Sequence, residues 1–146
     1  MIKKYIVGLF VLMAVLFAAE NSFAQARPVP GQMGGLLGVG SPQSNNLYYQ
    51  NGGSYFGRIT AYPGSHFQID LGNGGEIKTY RNSCRQINNG GYPGVYCTFG
   101  QFKYGRLTYS GDTVIYQNGM VYLRWLYEFN GNQQRTINGS WYGFRP

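Results

Sequence analysis

Few side chains in this 146-residue chain could do chemistry, and their spacing decides what is open to them. The one histidine, His66, lies four residues before Asp70. On a strand that spacing puts both on one face but ~13 Å apart, too far for the hydrogen bond between a catalytic base and the acid that orients it. His66 therefore reads as a solvated or turn-capping side chain, and a lone histidine also supplies too few ligands for a transition-metal site. Asp70 with Glu76, or Asp112 with Glu128, has the residue type for glycoside cleavage, in which two carboxylates flank one bond. Adjacent strand positions put such groups on opposite faces, and charge pairing with Lys78 or Arg124 is the plainer role. Cys84 and Cys97 are expected to be joined in a disulfide, which leaves no thiol nucleophile. The inventory predicts a non-enzymatic protein with no catalytic residues, no metal and no cofactor.

What the chain does offer is material for binding. Aromatic residues make up 17% of it, with 14 Tyr and 9 Phe, and Asn and Gln are abundant. Only one face of each strand can be core, so some rings must lie outside. Rings interleaved with amides suit sugars, whose C–H faces need an apolar platform and whose hydroxyls need planar donors and acceptors. The candidate ligand-binding residues are Tyr48, Tyr55, Tyr116, Tyr122, Trp141 and Tyr142.

A second set is basic. The chain carries a net charge of +7. Lys78, Arg81 and Arg85 fall close together, and Lys103 with Arg106 flanks Tyr104. As strand neighbours these five would form a positive stripe suited to an acidic polymer; a solvated surface that maintains solubility is the simpler account. No base-reading motif is present, so sequence-specific nucleic-acid recognition is not expected.

The elements that must position these residues begin after an address. Lys3 and Lys4, the apolar run Tyr5 to Ala19 and the small-x-small triplet Ala24-Gln25-Ala26 read as a secretory signal peptide over residues 1–26, cleaved near Ala26. The run is shorter than the ~20 residues of a membrane span, and the mature chain is expected to lack a transmembrane anchor. The expected location is the periplasm or the exterior. Residues 27–46 mix Pro, Gly and Ser without period and read as a flexible leader. Met33 to Val39 form an apolar patch within it.

Residues 47–146 then read as a single all-β domain. Four Asn-Gly pairs, at Asn51, Asn73, Asn118 and Asn138, signal hairpin turns, because a type I′ turn needs positive φ at both central residues. Around the second, His66–Leu71 should pair with Glu76–Arg81. Around the third, Thr113–Gln117 should pair with Met120–Phe129, sending Val121, Leu123, Trp125, Tyr127 and Phe129 to one face and Tyr122, Arg124 and Glu128 to the other. If Gly90-Gly91 makes a two-residue turn, Cys84 falls opposite Cys97; Pro93 weakens that register, and a wider loop over 88–94 is the alternative. The predicted architecture is a small antiparallel β-barrel or sandwich of successive hairpins with one disulfide.

Two partial resemblances accompany this reading. Ser83-Cys84-Arg85-Gln86-Ile87 running to Cys97, with Asn118-Gly119 and Leu123-Arg124-Trp125, resembles one repeat of the cyanovirin-like lectins, which implies mannose-rich glycan as ligand. The segment from Ser110-Gly111 to Trp125 is similar to the periplasmic inhibitors of c-type lysozyme, small disulfide-bearing barrels. Each covers less than half of the mature chain, and the chain is assigned to no family.

The functional expectation is an exported binding domain that recognises glycan or an acidic cell-envelope polymer. A structural or protein-binding envelope component, or an inhibitor of a secreted enzyme such as lysozyme, is the alternative.

Overall fold

The computed structural model describes residues 41–146, and the stretches read as a signal peptide and, up to residue 40, as a leader lie outside them. Ten strands are formed: β1 (Gln43–Tyr49), β2 (Tyr55–Tyr62), β3 (His66–Gly72), β4 (Gly75–Thr79), β5 (Arg85–Asn89), β6 (Tyr92–Lys103), β7 (Arg106–Tyr116), β8 (Val121–Asn130), β9 (Gln133–Thr136) and β10 (Trp141–Arg145). Among the described residues one 3-10 turn, Arg81–Ser83, interrupts them. The first strand thus takes in the last four residues of the stretch read as leader.

Eight of the strands close a ring. Each pairs antiparallel with the next in the order β1, β2, β3, β4, β6, β7, β8, β10, and β10 returns to β1 through Phe144↔Tyr49 and Arg145↔Tyr48. The expected barrel or sandwich is a closed antiparallel barrel. Closure needs strands long enough to be shared. β6 pairs with β7 along most of its length, carries β4 along its C-terminal half and also pairs with β5, while β8 pairs with β10 over Val121–Arg124 and with β9 over Tyr127–Asn130.

Turn chemistry explains most of the connections. Asn73 and Gly74 both take positive φ (49° and 76°), as a type I′ turn requires. Asn118-Gly119 also joins two strands, but only Gly119 is left-handed (φ 98°), and the Asn118 side chain accepts a hydrogen bond from the Met120 N–H at 3.0 Å. Pro63-Gly64 turns β2 into β3, with Gly64 at φ 73° and the Ser65 N–H donating to the Tyr62 carbonyl. Asn138-Gly139 departs from expectation: it is no hairpin. β9 and β10 lie in succession along the same edge of β8, and the pair marks the break between them. A side chain at Gly139 would collide with the Trp125 carbonyl, so close approach to β8 accounts for the glycine.

The inward residues of the ring form the core: Leu47, Ile59, Phe67, Ile69, Ile77, Val95, Cys97, Phe99, Ile115, Leu123 and Phe144 are each at most 2% exposed. Each large apolar side chain so buried contributes about 1.5–3 kcal/mol. Cys97 belongs to this inner set, and its disulfide to Cys84, with Cα atoms 4.2 Å apart, ties the segment entering β5 to the wall of the barrel. Asn88–Pro93 falls outside the compact unit that holds the ring. Within it Gly90 and Gly91 both take positive φ, and the Gly91 N–H donates to Asn88 Oδ1 at 2.8 Å, the two-residue turn rather than the wider loop.

Two bulges overturn the expected alternation. Between Asp70 and Gly72 the β3–β4 register skips Leu71, so Asp70 faces Glu76 directly and both point to the same side of the sheet. Between Ser110 and Gly111 the β7–β8 register skips Leu126. Beyond that point Glu128, not Tyr127, shares a face with Tyr109, whose hydroxyl donates to Glu128 Oε2 at 3.4 Å.

Candidate functional site

The outer wall over β6, β7, β8 and β10 holds a continuous chain of polar and aromatic contacts. Asp112 on β7, Arg124 on β8 and Trp141 on β10 are successive register partners. Their alternation is opposite to that of Thr113, Leu123 and Phe144, so all three point outward. Arg124 donates from Nε to Asp112 Oδ1 at 2.9 Å and from Nη2 to Oδ2 at 2.6 Å. Its guanidinium also lies 4.6 Å from the centre of the Trp141 ring. The Tyr96 hydroxyl donates to Asp112 Oδ2 at 2.8 Å, and the Arg85 guanidinium sits 4.7 Å from the Tyr96 ring centre. The hydrogen bond to Asp112, more than the opposing burial, holds Arg124 above its ordinary pKa. Burial, and then the Asp112 charge, push the Tyr96 hydroxyl up to about 12.

The next register row on the same wall is Val114, Tyr122 and Gly143. Gly143 has no side chain, and the Gln50 side-chain oxygen and the edge of the Tyr122 ring fill the space a Cβ would take. Gln50 is held in place by its own N–H, which donates to the Gly143 carbonyl at 3.0 Å. Tyr116 meets Tyr122 edge-to-face at 6.0 Å. One strand further round, Tyr48 and Tyr55 are register partners in edge-to-face contact at 5.7 Å, with Arg145 opposite Tyr48. The outer wall therefore brings together Tyr48, Tyr55, Tyr116, Tyr122 and Trp141. It leaves out Tyr142. Opposite inward-facing Leu123, that residue packs against Trp125, 5.7 Å between ring centres.

The predicted basic stripe is divided. Lys78 pairs with Glu76 at 3.4 Å, and Arg85 is engaged with Tyr96. Arg81 is exposed in the 3-10 turn. Lys103 and Arg106 are register partners at the β6–β7 turn. Lys103 is opposite Gly75 and Lys78 opposite Gly100, so the two lysines stand three residues apart along β6, ~10 Å.

Of the carboxylates, Asp70 and Glu76 share one partner, since Gln68 Nε2 donates to both at 3.1 Å. Glu128 is bonded by Arg135 and Tyr109. His66 has Ser65 Oγ 2.8 Å from Nδ1 and stacks on Tyr62. Among the described residues no three His, Cys, Asp or Glu side chains converge as a metal site would need, and no helix is long and apolar enough to cross a membrane.

Gln50, Gly143 and Tyr96 were not singled out by sequence reasoning. The echo Tyr49-Gln50-Asn51-Gly52 and Tyr116-Gln117-Asn118-Gly119 was a signal for the first of these, since it places an amide beside each aromatic turn. Nothing local marks Gly143.

No family model matches the chain, and no curated protein or solved structure does.

Proposed function

We propose that this is an exported, non-enzymatic binding domain that takes glycan on the outer wall of its barrel. The observation that carries the reading is the outward row on β8 and β10, where Tyr122 and Trp141 border the Gln50 amide packed over Gly143. A pyranose ring needs aromatic faces with amide groups within reach of its hydroxyls, and this patch offers both. Trp141 and Tyr122 are the stacking platforms, and Gln50 is the orienting donor and acceptor. Arg124 keeps the Trp141 ring in one orientation, which lowers the ordering cost of binding.

A glycan array probed with the oxidised protein tests this. Binding to defined neutral sugars should survive ~0.5 M salt, where exposed charge pairs are screened. It should fall about tenfold in Trp141→Ala and in Gln50→Ala, each removing on the order of one stacking contact or hydrogen bond. Wild-type affinity in both variants, or no binding to any glycan, overturns the reading.

A further inference from the structure

The two hairpin turns Asn73-Gly74 and Tyr104-Gly105 lie side by side at one end of the barrel, and they solve the same problem differently. In each, both central residues take positive φ. Asn at the first position is the inexpensive choice, because its short polar side chain tolerates the left-handed region. Tyr104 adopts φ 48° with a bulky ring, a backbone conformation that is unfavourable for such a residue. That ring is 78% exposed, so core packing does not recover the cost.

A second unfavourable choice sits at the same turn. Lys103 and Arg106 are direct cross-strand partners, two like charges with Cβ atoms ~5 Å apart. On its other side Lys103 faces Gly75, which has no side chain. Among the described residues neither cation lies within ion-pair distance of a carboxylate. Local rules broken twice at one exposed turn point to a ligand rather than to folding.

The turn is also held ready. The Tyr104 N–H donates to the Gly74 carbonyl at 2.9 Å, and the ring lies over Gly74, where any Cβ would collide with it. Lys103 Nζ stands 5.1 Å from the ring centre. The neighbouring turn thus fixes the tyrosine with its outer surface and two cations presented together.

We propose that Tyr104, Lys103 and Arg106 form a second binding site, separate from the outer wall, that takes an acidic sugar of an anionic polysaccharide. The ring contacts the C–H face of the sugar, and the cation pair holds its carboxylate, phosphate or sulfate. The turn carries one exposed ring, while Leu71 and Leu107 beside it are half-buried. That favours a polymer in water over insertion into lipid.

Affinity electrophoresis of the oxidised protein through gels containing polygalacturonate, dextran sulfate or neutral dextran tests the site, with anionic and neutral phospholipid vesicles assayed by sedimentation. Retardation by at least one acidic polymer at low salt, absent with neutral dextran, is expected. Lys103→Gln with Arg106→Gln should weaken it about tenfold. Tyr104→Asn should also weaken it while raising the melting temperature, because asparagine suits the turn; lost binding from a misfolded variant would lower that temperature instead. Trp141→Ala should leave acidic-polymer binding unchanged, which separates this site from the outer wall. Retention by neither acidic polymer, unchanged affinity in the double Gln variant or in Tyr104→Asn, loss in Trp141→Ala, or binding to anionic vesicles alone overturns the proposal.

Discussion

Arg124 holds both oxygens of the Asp112 carboxylate on the outside of the barrel, yet Asp112 is only 3% exposed. Outward-pointing carboxylates normally reach water. Here the Tyr96 hydroxyl and the Arg124 guanidinium, itself beside the Trp141 ring, satisfy the carboxylate instead. The arrangement fastens three consecutive barrel strands, β6, β7 and β8, through side chains, and reaches a fourth, β10, through the ring.

The two partners are not equivalent, because Arg124 is about one-third exposed and Asp112 is not. Arg124→Met strands a buried charge and should cost about 3 kcal/mol. Asp112→Asn keeps a hydrogen-bonding group and lets the arginine turn to water, for about 1 kcal/mol. Urea denaturation of both variants checks the order; equal losses would mean that the pair is effectively solvated.

Tyr96 should ionise late. Its folded-state pKa of about 12 lies above the ordinary 10.0, so the unfolded chain releases this proton first. The stability it contributes is complete below pH 10 and is lost as pH rises through about 12. Absorbance titration of the phenolates should show a final step near that pH that is missing in Tyr96→Phe, and the same variant should lose less stability over that window.

Reduction of the Cys84–Cys97 bond frees a loop that constrains the unfolded chain. The chain-entropy relation puts the loss at about 3 kcal/mol for a loop of this length. Denaturation of the protein with and without reductant, and of Cys84→Ser with Cys97→Ser, should agree within error.

Two glycines should respond unequally to alanine. At Gly111, on the β7–β8 bulge, a Cβ would collide with the Arg124 carbonyl, and Gly111→Ala should cost about 3 kcal/mol. At Gly105 space is open and only φ +79° opposes a side chain, so Gly105→Ala should cost about 1 kcal/mol. Thermal melts of the two variants decide it.

The legible parts of the fold were those written in local chemistry. Asn73-Gly74 and Gly90-Gly91 mark turns because few other pairs accept two positive φ values, and the alternation in Val121 to Trp125 marks an inward face. Tyr104-Gly105 went unseen as a turn because nothing about tyrosine announces the left-handed region. Asn138-Gly139 misled for the converse reason: its glycine answers a close contact with β8, not a reversal of the chain. The bulges at Leu71 and Leu126 have no local marker either, so the expected faces of Glu76 and Glu128 were inverted. Among the site residues, Trp141 and Tyr142 are neighbours on one strand and had to diverge, whereas the meeting of Gln50 with Gly143 depends on a pairing between distant segments.

The pairing that closes the ring is also the one with the longest chain between its partners. The hairpins β1–β2, β2–β3, β3–β4, β6–β7 and β7–β8 each form between neighbouring segments, while Phe144↔Tyr49 joins two segments far apart in the chain, the contact with the largest closure entropy. Without β10, β1 and the Val121–Arg124 half of β8 would present unpaired edges, and with it the ring is sealed. Anything that captures one of those edges first, including a second ribbon, competes with completion of the barrel, so the few residues of β10 act as a kinetic gatekeeper against misassembly.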